Sequence, residues 1–519
     1  MDKSKKRELA KFTYLSGLSG VISKILALPH SIVYAQLLMP SGFGLLQIIK
    51  VIVKYSAYSS FGILEGMNRN VPKENANGKF HKSEQIINLA YTCVTIATII
   101  SVLILIYIYF WTSLLKYNIS IIDLIILIFI IILSRFNSFI KKLLKAEGKF
   151  IVLGKTNVLS SAITPVIGII FVVFFNITGA LLALLFNQVF VFVLYIRYYF
   201  NFLPKYYFSI KLILEQLSSG LLILISKIAS SSIGGGSLFL LGYYNNMIDV
   251  GIYSFGLLSL TYVQKYSSPI STYFYRETMI TKGSESIDHS FYKSVLRLPH
   301  TYNLLFITLL LGVFSISYFL IINLFLEKYV NSIPIIAISM FGIILFNSRT
   351  FLNHFMNATG QLPLRAKIVV ISSFLSLLST LFILKMGFPI YYVALSSSLG
   401  YSIIGMWTSY KGLLQVNRSR SMTILSLLKV VIVASINVLI VYKYSIFFFI
   451  NYECYIFEIA NLALALSDLL LKSISLIIVN YFIFVILYKN IDFYNSLNQL
   501  ITKILRISQQ KVHSFMIKY

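Results

Sequence analysis

Apolar runs of about twenty residues, separated by short polar or basic stretches, follow one another along nearly the whole of this chain. A run of that length crosses the roughly 30 Å hydrocarbon layer of a bilayer as a helix rising 1.5 Å per residue. The pattern predicts about fourteen spans. The first six run Phe12 to Leu37, Phe43 to Leu64, Ile86 to Phe110, Ile119 to Ile140, Phe150 to Phe175 and Gly179 to Tyr199. The next six run Ile213 to Leu240, Val250 to Tyr273, Asn303 to Phe325, Ile335 to Phe355, Ala366 to Leu384 and Tyr391 to Tyr410. Leu425 to Ile446 and Leu462 to Leu487 complete the set. The fold class this implies is an all-α polytopic membrane protein with no large soluble domain.

Composition agrees. Of 519 residues, 58% are hydrophobic and 12% charged, and the mean hydropathy is +0.82, so most of the chain must face lipid or its own core. A net charge of +27 raises the question of nucleic acid, but the basic residues form no single stripe or domain. They alternate by connection. Arg69, Lys73, Lys79 and Lys82, then Lys141, Lys142, Lys145 and Lys149, then Lys205, then Lys282, Lys293 and Arg297 fall in the even connections, followed by Arg365, Lys411, Arg418 and Arg420. The odd connections and the span ends beside them hold Lys116, Lys328, Lys385 and Lys443. That asymmetry predicts cytoplasmic even connections and two cytoplasmic termini; the expected location is a bacterial inner membrane. Lys3, Lys5, Lys6 and Arg7 precede no small-residue cleavage site, so the first span is expected to stay. Cys93 in a span and Cys454 in an outer loop support neither a disulfide framework nor a metal site.

The chain also echoes itself. Ala146, Gly148, Lys155, Ser160 and Ser161 recur with the same spacing as Ala358, Gly360, Lys367, Ser372 and Ser373. Phe43-Gly44, opening the second span, is matched by Val250-Gly251, opening the eighth. An even number of helices per unit keeps both copies in one orientation, as in parallel transporter repeats. The expected organisation is two pseudo-symmetric six-helix lobes, residues 1–203 and 204–413. An additional helix pair, 414–488, and a cytoplasmic tail, 489–519, follow; the tail mixes apolar residues with Lys503, Arg506, Lys511 and Lys518, as a surface-lying amphipathic helix would.

The stretch Tyr34-Ala-Gln-Leu-Leu-Met-Pro-Ser-Gly-Phe-Gly44, the stretch Glu65-Gly-Met-Asn-Arg69, and Lys145-Ala-Glu-Gly-Lys-Phe150 resemble the polysaccharide-flippase (Wzx-type) branch of the multidrug/oligosaccharidyl-lipid/polysaccharide exporter superfamily. The likeness extends over nearly the whole chain. It implies two six-helix lobes, often with two further helices, and translocation of undecaprenyl-pyrophosphate-linked oligosaccharide from the cytoplasmic to the periplasmic leaflet. It implies as partners that lipid-linked substrate, membrane lipids and a polysaccharide polymerase or glycosyltransferase. Lipid II flippases and ion-coupled drug exporters of the same superfamily are the alternatives the resemblance leaves open.

Charges deep in a span are costly and mark wet interiors. Lys24 shares a face with Gly17, Gly20 and Ser31; Lys50 and Lys54 share one with Gln47 and Tyr58. Lys227 lies with Ser231 and Gly234, and Lys265 with Thr261, Ser268, Thr272 and Arg276. These six cations occupy the first two helices of each lobe, where pseudo-symmetric helices would line one cavity, and they are the expected substrate-binding residues. Snorkelling to the interface is the alternative, weighing as much as substrate binding for Lys50 and Arg276, open for Lys54, and weighing less for Lys24, Lys227 and Lys265. Glu65 and Glu215 read as hydrated charges at span ends, with coupling-ion duty as the alternative, and Asp468 and Lys472 read as a mutually neutralising pair. Gly234-Gly-Gly236 reads as a bend in the seventh helix or as close packing.

A polytopic polymerase or glycosyltransferase would need an exposed catalytic loop. The longest outer connection, 447–461, offers only Glu453 and Glu458, with no paired acids and no nucleophile beside a base. Transport without cofactor or metal is the expectation.

Overall fold

The computed structural model describes residues 3–111, 119–198, 204–264, 298–350, 352–353, 356, 361–416, 420–452 and 459–487. Among them the regular structure is helical: α1 (Lys3–Ser56), α2 (Ile63–Ala76), α3 (Phe80–Trp111), α4 (Ile121–Ala146), α5 (Phe150–Tyr198), α6 (Ile210–Tyr244) and α7 (Met247–Gln264) come first. There follow α8 (Leu298–Phe325), α9 (Ile333–Ser348), α10 (Leu362–Lys385), α11 (Ile390–Val416), α12 (Arg420–Tyr452) and α13 (Ile459–Leu487).

Two of these are hairpins rather than rods. α1 turns at Met39 (φ 56, ψ 170), and His30 and Lys50 interact electrostatically across the turn, although a straight helix would hold them about 30 Å apart. α5 turns at Asn176 (φ 49, ψ −123), which lets Thr164 Oγ1 donate to Asn187 Oδ1 at 3.0 Å and brings the Phe171 and Phe186 rings to 6.4 Å. Both turns fall where the hydropathy pattern separates spans. Elsewhere helix starts are set by local chemistry: Ser120 and Asp123 close a capping box on α4, and Ser209 caps α6.

Large apolar side chains such as Leu103, Phe129, Phe174, Phe374, Leu428 and Leu470 point outward and are exposed, as side chains solvated by lipid are. Inside, α1 packs on α5 and α4 on α5 in the first lobe; α6 packs on α10 and α9 on α11 in the second. α12 and α13 lie against α8, held to each other by paired buried amides of Asn437 and Asn480. Gly360 lies outside the described residues, but α5 and α10 start at equivalent places in the sequence echo, Phe150 and Leu362.

Two expectations need correction. The helical chain of the second span does not stop at Leu64: it breaks at Ala57–Ser60 and resumes as α2 to Ala76, so Arg69 and Lys73 are helical rather than loop residues. The break has a physical cause, left-handed backbone at Phe61 (φ 47) and Gly62 (φ 90), the latter permitted by glycine. The Gly234-Gly-Gly236 run does not bend its helix; α6 is continuous there, and a β-carbon on Gly235 would press on Val51 and Tyr55 and one on Gly236 on Leu377. These glycines serve packing. Cys93 is a free, half-buried thiol, and Cys454 lies outside the described residues.

Candidate functional site

The break between α1 and α2 is what builds the site. A β-carbon on Gly220 would overlap the Gly62 carbonyl oxygen, and one on Gly66 would overlap that of Gln216, so α2 of the first lobe lies backbone to backbone on α6 of the second. Glu65, in the first turn of α2, is thereby carried to the lobe interface. Lys227 of α6 donates to its Oε1 at 2.5 Å, and Lys142 of α4 donates to its Oε2 at 2.6 Å. One carboxylate is thus shared by ammonium groups from opposite lobes.

The Glu65 side chain is 14% exposed and that of Lys227 is 45% exposed, so the carboxylate is enclosed while one of its cations opens toward solvent. Burial pushes the Glu65 carboxyl up, and the fields and hydrogen bonds of Lys142 and Lys227 outweigh it, leaving the group below its ordinary range. Lys145 contributes further positive field to the same group. Two or more cations on one acid leave the cluster net positive.

Polar contacts continue the interface on both sides. Tyr58 and Tyr55 donate to Ser231 and Ser232 of α6 at 3.3 and 3.1 Å. Further along, Asn70 donates to Gln216 at 3.0 Å, and Lys82 bridges Glu74 of its own lobe at 3.3 Å and Glu215 of the other at 2.9 Å.

Of the six cations expected to bind substrate, Lys227 stands in this cluster. Lys50 is half-buried and faces His30 across the α1 hairpin; Lys54 is exposed one turn further on. The side chain of Lys24, and Lys265 and Arg276 altogether, lie outside the described residues. Asp468 has no described side chain, so its pairing with Lys472 also falls outside them. Glu65, read from sequence as a hydrated end charge, is the hub of the cluster, and Lys142, read as a loop charge, is its second partner.

Chemically, the cluster offers two flexible ammonium donors held ready by a displaceable carboxylate. Such donors replace the hydration of a phosphate through charge-assisted hydrogen bonds, and lysine, as a mobile point charge, releases it again.

The family model of polysaccharide biosynthesis proteins matches residues 9–274. Comparison with curated proteins gave no match. Among solved structures, the chain is similar to the lipid II flippase MurJ in an inward closed conformation, with 14% identity, TM-score 0.66, and coverage of 91% of this chain and 98% of that one. It is also similar to an inward-facing multidrug resistance MATE family transporter of the MOP superfamily, with 13% identity, TM-score 0.59, and coverage of 78% and 94%. A MATE structure in complex with MaD3S, 12% identical, gives TM-score 0.55 with coverage of 79% and 96%. At these identities the likeness is one of fold.

Proposed function

This chain belongs to the polysaccharide biosynthesis protein family, and on that premise we propose that it is a flippase for oligosaccharide repeat units linked to undecaprenyl pyrophosphate. It moves them across the inner membrane by alternating access, for surface polysaccharide synthesis. The observation that carries this reading is the meeting of Lys142 from one lobe and Lys227 from the other on Glu65. A pyrophosphate entering between the lobes competes with the carboxylate for both ammonium groups, and its arrival loosens a contact that ties the lobes together. Substrate binding and lobe movement are then one event.

In this reading residues 1–203 and 204–413 are the rocking units, the glycan passes between them, and the prenyl tail stays in the bilayer. Both termini face the cytoplasm, as the charge asymmetry of the connections supports. Each net negative charge moved outward gains about 2.3 kcal/mol per 100 mV of membrane potential, a drive that needs no network of buried acids.

The test is replacement of Lys142 and Lys227 by alanine, singly and together, with membrane abundance checked and surface polysaccharide measured. Loss of polysaccharide with lipid-linked repeat units accumulating on the cytoplasmic leaflet is expected. Normal export by the double variant at normal abundance would overturn the reading.

A lipid II flippase is the second reading, supported by the extent of the MurJ likeness over 91% of this chain. Rescue of cells depleted of their lipid II flippase by this chain would favour it.

A further inference from the structure

Two tyrosines of the first lobe reach across to two serines of the second. Tyr55 Oη donates to Ser232 Oγ at 3.1 Å and Tyr58 Oη to Ser231 Oγ at 3.3 Å. The Tyr55 and Tyr58 rings stand edge to face at 5.7 Å, and Tyr55 lies 6.1 Å from the Phe239 ring of α6. Gly235 permits this approach, since a β-carbon there would come within 3.3 Å of Tyr55 Oη. Three rings thus follow one another across the lobe interface, with two phenol and two serine hydroxyls among them.

This patch is open. Tyr55, Tyr58, Ser231 and Ser232 each keep part of their surface accessible, and Phe239 is 38% exposed. An exposed lysine stands on each helix beside it, Lys54 on α1 and Lys227 on α6, which marks the accessible side as wet rather than lipid-facing. Ser231 follows Lys227 by one helical turn, about 6 Å. The patch therefore begins about the width of a sugar ring beyond the ammonium groups that Glu65 holds.

We propose that Tyr55, Tyr58, Ser231 and Ser232, with Phe239, form the subsite for the first sugar ring of the lipid-linked oligosaccharide, the one joined directly to the pyrophosphate. The inference rests on the flippase reading for the lipid carrier and adds to it what the protein reads of the glycan. A sugar ring is apolar on its C–H face and polar at its rim. Tyrosine is apolar on its ring face and polar at its hydroxyl, so the two match both in stacking and in hydrogen bonding. Each hydroxyl donates and accepts, and exchange of a tyrosine–serine bond for bonds to sugar hydroxyls leaves no polar group unpaired. The exchange parts the lobes beside the contact that the pyrophosphate loosens, and because no charge takes part in it, the subsite selects a sugar rather than an anion.

The experiment measures the affinity of the purified full chain in detergent for farnesyl pyrophosphate and for the same lipid carrying one N-acetylglucosamine. The wild type is expected to hold the glycosylated lipid about tenfold more tightly. Tyr55→Leu combined with Tyr58→Leu should lose that preference while binding plain farnesyl pyrophosphate as the wild type does. Tyr55→Phe combined with Tyr58→Phe keeps the rings without the hydroxyls and should keep a preference of about threefold, which preserves the test if the leucine variant fails to fold. Equal loss of affinity for both lipids in either variant would show the tyrosines to be a fastening between lobes and would overturn the subsite. A wild type that binds both lipids equally would overturn it as well and leave the pyrophosphate site standing, whereas a wild type that binds neither would overturn the flippase reading along with it.

Discussion

Gly44 and Gly251 stand backbone to backbone where the α1 hairpin meets α7, and neither has room for a β-carbon. The contact is reciprocal. A β-carbon on Gly44 would strike the Met247 carbonyl oxygen, and one on Gly251 the Pro40 carbonyl oxygen; Pro40 and Met247 each lie four residues before their glycine. Reciprocity of this kind marks a two-fold relation between the contacting surfaces. An aromatic cluster extends it, with Phe43 6.0 Å from Phe255, Phe255 4.8 Å from Tyr329, and Tyr329 Oη donating to the Ala35 carbonyl. Gly44→Val and Gly251→Val are therefore expected to destabilise by similar amounts, about 1–3 kcal/mol each as overpacked sites do. Thermal unfolding midpoints in one detergent check this, and a harmless substitution at either position would break the pseudo-symmetry argument.

At the other end of the interface, Glu65 and Lys227 should show energetic coupling. Lys227 is half open to solvent, so a cycle of Glu65→Gln, Lys227→Met and the double variant should give a coupling of about 1 kcal/mol rather than the larger value of an enclosed pair. The exchange Glu65→Lys with Lys227→Glu should recover part of what either reversal loses alone. The pH dependence has a definite sign. Glu65 is held below its ordinary range, so its contribution is complete above the unfolded carboxyl value, about 4.3, and is lost as pH falls through the lower folded value. The stability gap between wild type and Glu65→Gln should stay constant from neutral pH to about 5 and close below it. A gap that widens on acidification would contradict the ion pair.

Asn437 and Asn480 exchange amide hydrogen bonds at 2.7 and 2.8 Å between α12 and α13, and both are fully buried. Interhelical polar contacts of this kind are worth about 0.6 to 2 kcal/mol in membranes. Asn437→Leu or Asn480→Leu alone leaves the partner amide short of a hydrogen bond, whereas the double leucine variant removes both polar groups. The double variant should therefore melt above the mean of the two singles. Additive losses would show that the pair contributes through packing alone.

How much of this was legible in the sequence depends on whether the signal is local. The Met39 turn is written in Met-Pro-Ser-Gly interrupting an apolar run, and the Asn176 turn in Asn-Ile-Thr-Gly; both are chain-breaking stretches between spans. The reciprocal glycines are legible as an echo of Phe-Gly by Val-Gly. The continuation of α2 is not, because Asn68, Arg69, Asn70 and Lys73 read as a polar loop, and the surface that makes them a helix is α6, far along the chain. Glu65 fails for the same reason: its place at the end of a span suggests hydration, while its environment is set by Lys227, a residue in another lobe. Lys142 disappears into a group of four lysines that reports topology.

The last expectation concerns the lysines that the hydropathy pattern singled out: Lys24, Lys50, Lys54, Lys227 and Lys265, with Arg276. As a hypothesis, they line, together with Lys142, a cationic path along which the pyrophosphate moves. Lys50 supplies the motivating observation, since it is half-buried, interacts electrostatically with His30 across the α1 hairpin, and shares its helix with Lys54 and Tyr55, which with Tyr58 of the following turn lead toward Ser231 and Ser232. A cation held this way costs insertion energy, roughly 2.5 to 3.5 kcal/mol at mid-span, a cost that a snorkelling side chain avoids by reaching the interface. The two roles respond differently to a neutral side chain of similar length. A path residue replaced by glutamine loses transport at normal abundance, whereas a snorkelling one replaced by glutamine keeps it. Each lysine changed singly to alanine and to glutamine, together with a combined Lys24 and Lys227 variant, should therefore reach the membrane and export less surface polysaccharide. The combined variant should be the most impaired, because it removes a cation from the first helix of each lobe. Full export by every variant, those at Lys227 included, would reduce these lysines to interfacial charges and take Lys227 out of the proposed site as well.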